Sequence, residues 1–267
     1  MVRNFVGVFV CGLALFGAGC AAPKAIGPAL AGHAIILPGI GGNNPAVARL
    51  AKMINNEVED LSAEVWDWTR IEPTTILGDL VDAKRNRRRA KVLAGQLLAW
   101  RRNHPNARLY VTAHSGGAGI VLLACETLPA DFKIERIVFL AAALSPQIDL
   151  SRAIQRSRRG VFNYYSSKDS WVLGLGTRLF GTTDRAHSKS AGLVGFDLPD
   201  DPRLAAKLEQ LAWEPSMRKS GNRGGHMGAF APLFIRTHLL PLFELGANRQ
   251  VEGNDPWGKR PKKGGSG

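Results

Sequence analysis

Cysteine is scarce in this chain of 267 residues. The three cysteines, Cys11, Cys20 and Cys125, cannot build a disulfide framework. None forms a C-x-x-C pair, which excludes a zinc ribbon and a thioredoxin-type motif, and no other metal site is expected. A membrane-spanning run is also missing from the start: Phe5 to Gly19 is apolar and uncharged, but it is shorter than the ~20 residues a helix needs to cross a bilayer. Acidic residues are few, 22 against 35 Lys and Arg, for a formal net charge of +13. That excess favours anionic partners and says nothing about fold. With 45% hydrophobic and 21% charged residues, the composition is that of a globular chain, not a disordered or collagen-like one.

The N-terminus carries Arg3, then the short apolar stretch, then Phe16-Gly17-Ala18-Gly19-Cys20-Ala21-Ala22. A basic start, a short apolar segment and small residues at its end describe an export signal over 1–19. Small residues directly before Cys20 resemble the lipobox of bacterial lipoproteins, with Gly17 where that pattern prefers Leu. The resemblance implies lipidation at Cys20 and a lipid-anchored protein of the cell envelope. Ordinary signal cleavage, giving a soluble periplasmic or secreted protein, is the alternative. Residues 20–32, rich in Ala, Pro and Gly, read as a tether. The Gly-rich, basic stretch 246–267 reads as a disordered tail.

Between these lies one domain, 33–245. Apolar runs at 34–37, 63–68, 108–113, 136–143, 160–165 and 208–213 read as strands. Helical spacing marks 46–61, 79–103, 116–128 and 229–245. In 79–103 the apolar side is expected to include Val92, Leu93, Leu97 and Trp100. Strands alternating with helices predict an α/β fold, a mainly parallel sheet covered by helices on both faces. No large lid domain is expected.

The most specific local signal is Ala113-His114-Ser115-Gly116-Gly117, between an apolar strand and an apolar helix. This is the G-x-S-x-G elbow with Ala in the first small position. A strand turning sharply into a helix strains the serine backbone and crowds the neighbours two residues away, so these must be small. It also lifts the serine hydroxyl clear of the sheet over the helix N-terminus.

A serine hydroxyl needs a base. Of the six histidines, His33 and His104 precede the elbow, and His114 is expected to point away from the serine. His238 falls in an apolar helix and reads as a packed residue. His226, in Gly224-Gly225-His226-Met227-Gly228, is the candidate base, with His187 as the alternative. The base needs an orienting acid. Asp169, in the loop after the strand 160–165, is the candidate, with Asp149 as the alternative. The Gly-rich turn Pro38-Gly39-Ile40-Gly41-Gly42 lets main-chain amides approach a ligand closely. The expected oxyanion hole is the amides of Ile40 and Gly116. A dinucleotide loop would need a glycine at 44, where Asn44 stands, and a phosphate-binding P-loop would need Gly-Lys-Ser/Thr.

On Leu-Pro-Gly-Ile-Gly-Gly at 37–42, the elbow at 113–117, Ser-Lys-Asp at 167–169 and Gly-Gly-His at 224–226, the chain resembles the α/β-hydrolase superfamily. The family's His-Gly at the oxyanion loop is Pro38-Gly39 here. The resemblance implies hydrolysis of an ester, thioester or amide without a cofactor, with the chain order Ser115, Asp169, His226. Two other readings of the same sequence stay open: a non-catalytic hydrolase-fold lipoprotein that binds an envelope partner, and an acyltransferase using the same acyl-enzyme. The basic run 84–91 reads as a solvated helix face or as a contact with an anionic surface. Nucleic acid is not an expected partner, given the export signal. Trp66 and Trp68 are expected in the core. The segment 171–181 is a candidate lining of an acyl slot, which makes acyl-chain length the expected basis of selectivity over charge.

Overall fold

The structure is a computed structural model and describes residues 32–69, 82–169 and 190–244. The export signal, Cys20 and the tether up to residue 31, His187, the segment 171–181 and the tail 246–267 lie outside the described residues.

Six strands, β1 (Gly32–Leu37), β2 (Leu61–Val65), β3 (Arg108–His114), β4 (Arg136–Leu140), β5 (Val161–Tyr165) and β6 (Leu208–Ala212), form one sheet in the order β2-β1-β3-β4-β5-β6. Every pairing is parallel. Period-2 alternation sends the apolar side chains to two separate cores. Ile35, Leu37, Leu109, Val111, Ala113, Ile137 and Phe139 face one. Ala34, Ile36, Tyr110, Val138, Leu140, Phe162 and Tyr164 face the other. Near-continuous apolar strands are what a parallel sheet buried on both faces requires.

Helix α1 (Pro45–Glu57) covers the second core with Val47, Leu50, Ala51 and Ile54. It begins at Asn44, whose side chain accepts from the amides of Ala46 and Val47 at 3.0 and 3.2 Å, with Pro45 in the first turn. An N-cap with proline just inside the start is the favoured entry to a helix. The helix ends at Glu57, short of the expected 61. Val58 is already extended and Leu61 opens β2. Asn55 then pairs both ways with the main chain of Ala63, donating at 2.9 Å and accepting at 2.8 Å, so the outer edge of β2 is covered.

Helix α2 (Ala83–Asn103) and helix α3 (Gly117–Thr127) pack on the opposite face. Asp82 caps α2 by accepting from the Arg85 amide. The buried stripe of α2 is Ala90, Leu93, Ala94 and Leu97, and Val92 is exposed, against expectation. Val92 lies off that stripe, so its apolar character does not decide its position. Trp66 and Trp68 both pack on this core, although β2 stops before them at Val65.

β4 stops at Leu140, three residues earlier than expected. Ala141 has φ 52° and so leaves the extended conformation. Short helices α4 (Ser151–Gln155), α5 (Ala191–Val194) and α6 (Pro202–Ala205) complete the connections. The expected single helix from 229 is instead a 3-10 turn (Gly228–Phe230) and a helical segment from Pro232. That segment widens to a π turn over Ile235–Leu239 and tightens again over Leu240–Leu242. Pro232 and Pro241 lack the amide a regular helix needs. Cys125 is buried in α3, and burial pushes its thiol up to about 12, which leaves it inert.

Candidate active site

In this strand order the chain leaves β1 toward β2 on one side and returns to β3 on the other. The loops after β1 and β3 therefore diverge at the carboxyl edge of the sheet. Open α/β sheets bind ligands in that crevice. The loop after β1 is 38–44, and the turn after β3 carries Ser115.

Ser115 has φ 51° and is almost fully buried. A left-handed conformation costs a non-glycine residue about 1–3 kcal/mol, so surrounding contacts must hold it. Three do. The Ser115 amide donates to the Leu140 carbonyl at 3.0 Å, and the Ser115 carbonyl accepts from Ala118 and Ala143, each at 3.2 Å. Gly116 is the N-cap of α3. Two glycines make room for the turn. A Cβ on Gly117 would sit 2.6 Å from the Pro38 carbonyl oxygen. A Cβ on Gly39 would sit 2.9 Å from His114 Nδ1 and 3.0 Å from Ser115 Cβ. The loop after β1 thus passes directly over the serine.

That loop is pinned from behind by the segment following β2. Trp68 donates through its indole to the Pro38 carbonyl at 2.8 Å, and Asp67 accepts from the Asn43 amide at 2.8 Å. Arg85 and Arg89 of the basic run donate to the carbonyls of Trp68 and Asp67, each at 2.7 Å. The run is therefore divided: these two arginines support the loop's scaffold, while Lys84, Arg87, Arg88 and Lys91 are exposed. Among the described residues, the amides of Ile40 and Gly116 have no acceptor.

His226 and Asp169 come together from loops far apart in sequence. His226 Nδ1 lies 2.8 Å from Asp169 Oδ2. A carboxylate accepts here, so Nδ1 carries the hydrogen and the basic lone pair is on Nε2. Asp169 is fully buried, and its own amide donates to the Ser166 carbonyl at 2.9 Å. Ser115 and His226 line the same cavity of about 730 Å³ together with Gly39 and Ile40. Among the described residues the serine hydroxyl makes no hydrogen bond of its own. Such bonds often tighten only when substrate is bound. Asp149 is elsewhere: it is exposed and accepts from the Ser151 amide at 2.8 Å, at the start of α4.

Two residues that the sequence did not mark as functional hold the histidine. His114, expected to point away, turns into the cavity. Its Nε2 donates to the His226 carbonyl at 3.2 Å, and the two rings lie 4.6 Å apart. Burial, reinforced by neighbouring His226, pushes the His114 pKa down to about 3, so it is a neutral prop. Asn222 is fully buried. Its amide group donates to the Tyr164 hydroxyl at 2.6 Å and accepts from the Gly224 amide at 2.9 Å, and its carbonyl accepts from the Trp213 indole at 3.0 Å. The histidine loop is thereby tied to β5, the strand whose following loop carries Asp169. The signal for Asn222 in the sequence was only an asparagine ahead of two glycines, a turn composition. Nothing in the sequence marked His114 as buried.

No protein-family model and no curated protein matches the chain. Among solved structures it is similar to an acetylxylan esterase at 11% identity and TM-score 0.46, over 82% of this chain and 100% of that one. It is similar to a cutinase-like protein from Cryptococcus sp. at 10% identity and TM-score 0.43, over 80% and 95%. Lipase B of Aspergillus fumigatus is similar at 12% identity and TM-score 0.46, over 79% of this chain and 53% of that one. The six-stranded parallel sheet with helices on both faces, and the strained serine between β3 and α3, give this chain the α/β-hydrolase fold.

Proposed function

We propose that the protein is an exported serine hydrolase that cleaves a carboxylic ester, or a thioester or amide, through an acyl-enzyme. The observation that carries this reading is the Asp169–His226 bond of 2.8 Å on the wall of the cavity that holds Ser115 in a left-handed turn. Ser115 Oγ attacks the acyl carbonyl carbon and its proton passes to His226 Nε2. The developing oxyanion accepts from the amides of Ile40 and Gly116. The bond to the leaving group breaks, and His226 returns the proton to the departing atom, oxygen for an ester, sulfur for a thioester or nitrogen for an amide. Water then repeats the sequence on the acyl-serine and releases the acid. Asp169 holds the imidazole in the required tautomer and stabilises its cationic form. No cofactor takes part in any of these steps.

The location rests on the sequence alone: residues 1–19 direct export, and Cys20 carries the lipid that anchors the enzyme in the envelope. The exposed Lys84, Arg87, Arg88 and Lys91 contribute an anionic-surface contact. Rapid mixing with p-nitrophenyl butyrate tests the chemistry. The reading predicts a burst of about one p-nitrophenol per chain wherever deacylation is slower than acylation, and an acyl adduct on the peptide containing Ser115. Product analysis with an added alcohol separates hydrolysis from acyl transfer. Turnover that persists in Ser115→Ala would remove the proposal.

A further inference from the structure

The cavity around Ser115 carries two arginines and, among the described residues, no carboxylate on its lining. Arg49 reaches it from α1, and Arg223 from the loop three residues before His226. The Arg49 guanidinium donates to the Phe230 carbonyl at 3.2 Å, and its other donors are unbonded among the described residues. Phe230 in turn packs edge-on against His114, at 5.1 Å between rings. Asp169, the carboxylate bonded to His226, is fully buried. Among the described residues Arg49 and Arg223 make no ion pair, unlike Arg236, which is bound by Glu57 on another part of the surface.

Arg49 and Arg223 are exposed, yet both line this concave, partly apolar site and give it a positive potential, without a carboxylate among the described lining residues to offset it. Their planar donor forks match carboxylate and phosphate oxygens. We infer that the substrate of this site is an ester bearing an anionic group, a carboxylate or a phosphate, that is bound by Arg49 and Arg223 while the acyl carbonyl sits at Ser115. The inference rests on the proposed hydrolase chemistry and names its substrate class. It reverses the sequence-level expectation that acyl-chain length outranks charge. That expectation weighed only the basic run 84–91, whereas Arg49 and Arg223, although exposed, line the cavity that holds Ser115.

The test compares phenyl butyrate with three anionic esters: monophenyl glutarate, 4-carboxyphenyl butyrate and 4-(butyryloxy)phenyl phosphate. They place the anion on the acyl side, on the alcohol side, and as phosphate. Each kcat/KM is normalised to that ester's hydroxide-catalysed rate. The full-length protein should prefer at least one anionic ester by about tenfold or more, as charge-assisted hydrogen bonds provide. The ratio of anionic to neutral kcat/KM should collapse toward one in Arg49→Gln/Arg223→Gln and survive in part in the double Lys variant. If the double Gln variant does not fold, each single Gln variant should lower the ratio. A ratio near one in the unchanged protein, or a preference that survives the Gln variants, overturns the inference while leaving the hydrolase reading intact. Absence of Ser115-dependent turnover of every ester, including the neutral one, is instead the failure of the hydrolase reading, and the inference falls with it.

Discussion

His114 and His226 stand in unequal roles one hydrogen bond apart: Nε2 of the buried His114 donates to the main-chain carbonyl of His226 at 3.2 Å. The first ring braces the loop that carries the second. Replacing His114 by Phe keeps a ring against His226 but removes the donor. The expected result is a fall in kcat of about tenfold or more, with KM little changed, because positioning and not substrate binding is lost. An equal rise in KM would show that His114 acts on the substrate directly.

The same residue sets an acid limb of stability. The His114 pKa lies at about 3 in the folded state, below its ordinary 6.5, because burial penalises the cation. Below pH 6.5 the unfolded chain therefore binds a proton that the folded chain refuses. Stability falls as pH drops from 6.5 toward 3, at up to ~1.4 kcal/mol per pH unit from this group. Chemical denaturation at a series of pH values should show this slope in the unchanged protein and a shallower one in His114→Phe. Identical slopes would contradict the assignment.

The two candidate acids separate cleanly. Asp169→Asn should lower kcat by ~10³-fold or more, since the imidazole loses its orienting carboxylate. Asp149→Asn should leave kcat nearly unchanged, because that carboxylate is exposed and accepts from the Ser151 amide away from the cavity that holds Ser115. The reverse pattern in steady-state assays would move the acid to Asp149.

Asn222 is a further point of failure. Asn222→Ala strips the Tyr164 hydroxyl and the Gly224 amide of their partner inside the protein. Unsatisfied buried groups cost ~1–3 kcal/mol each. The melting temperature should drop by roughly 5–10 °C, and activity should fall even in the fraction that remains folded. A variant as stable and active as the parent would show that the loop is held by other contacts.

Much of this was legible in the sequence, for reasons that differ by residue. The sheet could be read because short, near-continuous apolar runs such as Ile35-Ile36-Leu37 and Leu109-Tyr110-Val111 are imposed by burial on both faces. Ser115 could be read because only small neighbours fit the turn that lifts it, as the close approach of Gly117 to Pro38 makes plain. Asp169 and His226 could be nominated because they follow β5 and β6 in chain order. What places them at one hydrogen bond's distance is not local. It depends on Asn222, Tyr164 and Trp213, which meet only in the folded chain. Helix and strand ends were misjudged where apolar residues continue past the element, as Val58 and Leu61 do after α1 and Ala141 after β4. The basic run concealed two roles, because nothing in its composition distinguishes Arg85 and Arg89, which hold main-chain carbonyls, from their exposed neighbours.

Anchoring has its own test. Lipidation by more than one chain holds a protein stably at a membrane. Intact-mass analysis of the protein recovered from membranes should show a chain beginning at Cys20 with a diacyl or triacyl adduct. An unmodified N-terminus further along would end the lipoprotein proposal and leave a soluble exported enzyme.

The central claim is that Ser115 is a nucleophile activated by His226, and a fluorophosphonate probe tests it most directly. The probe reacts with activated serines and needs no knowledge of the substrate. The account predicts labelling of the folded protein at Ser115, abolished in Ser115→Ala and strongly slowed in His226→Ala. No labelling of the folded protein, or labelling that survives Ser115→Ala, would contradict it.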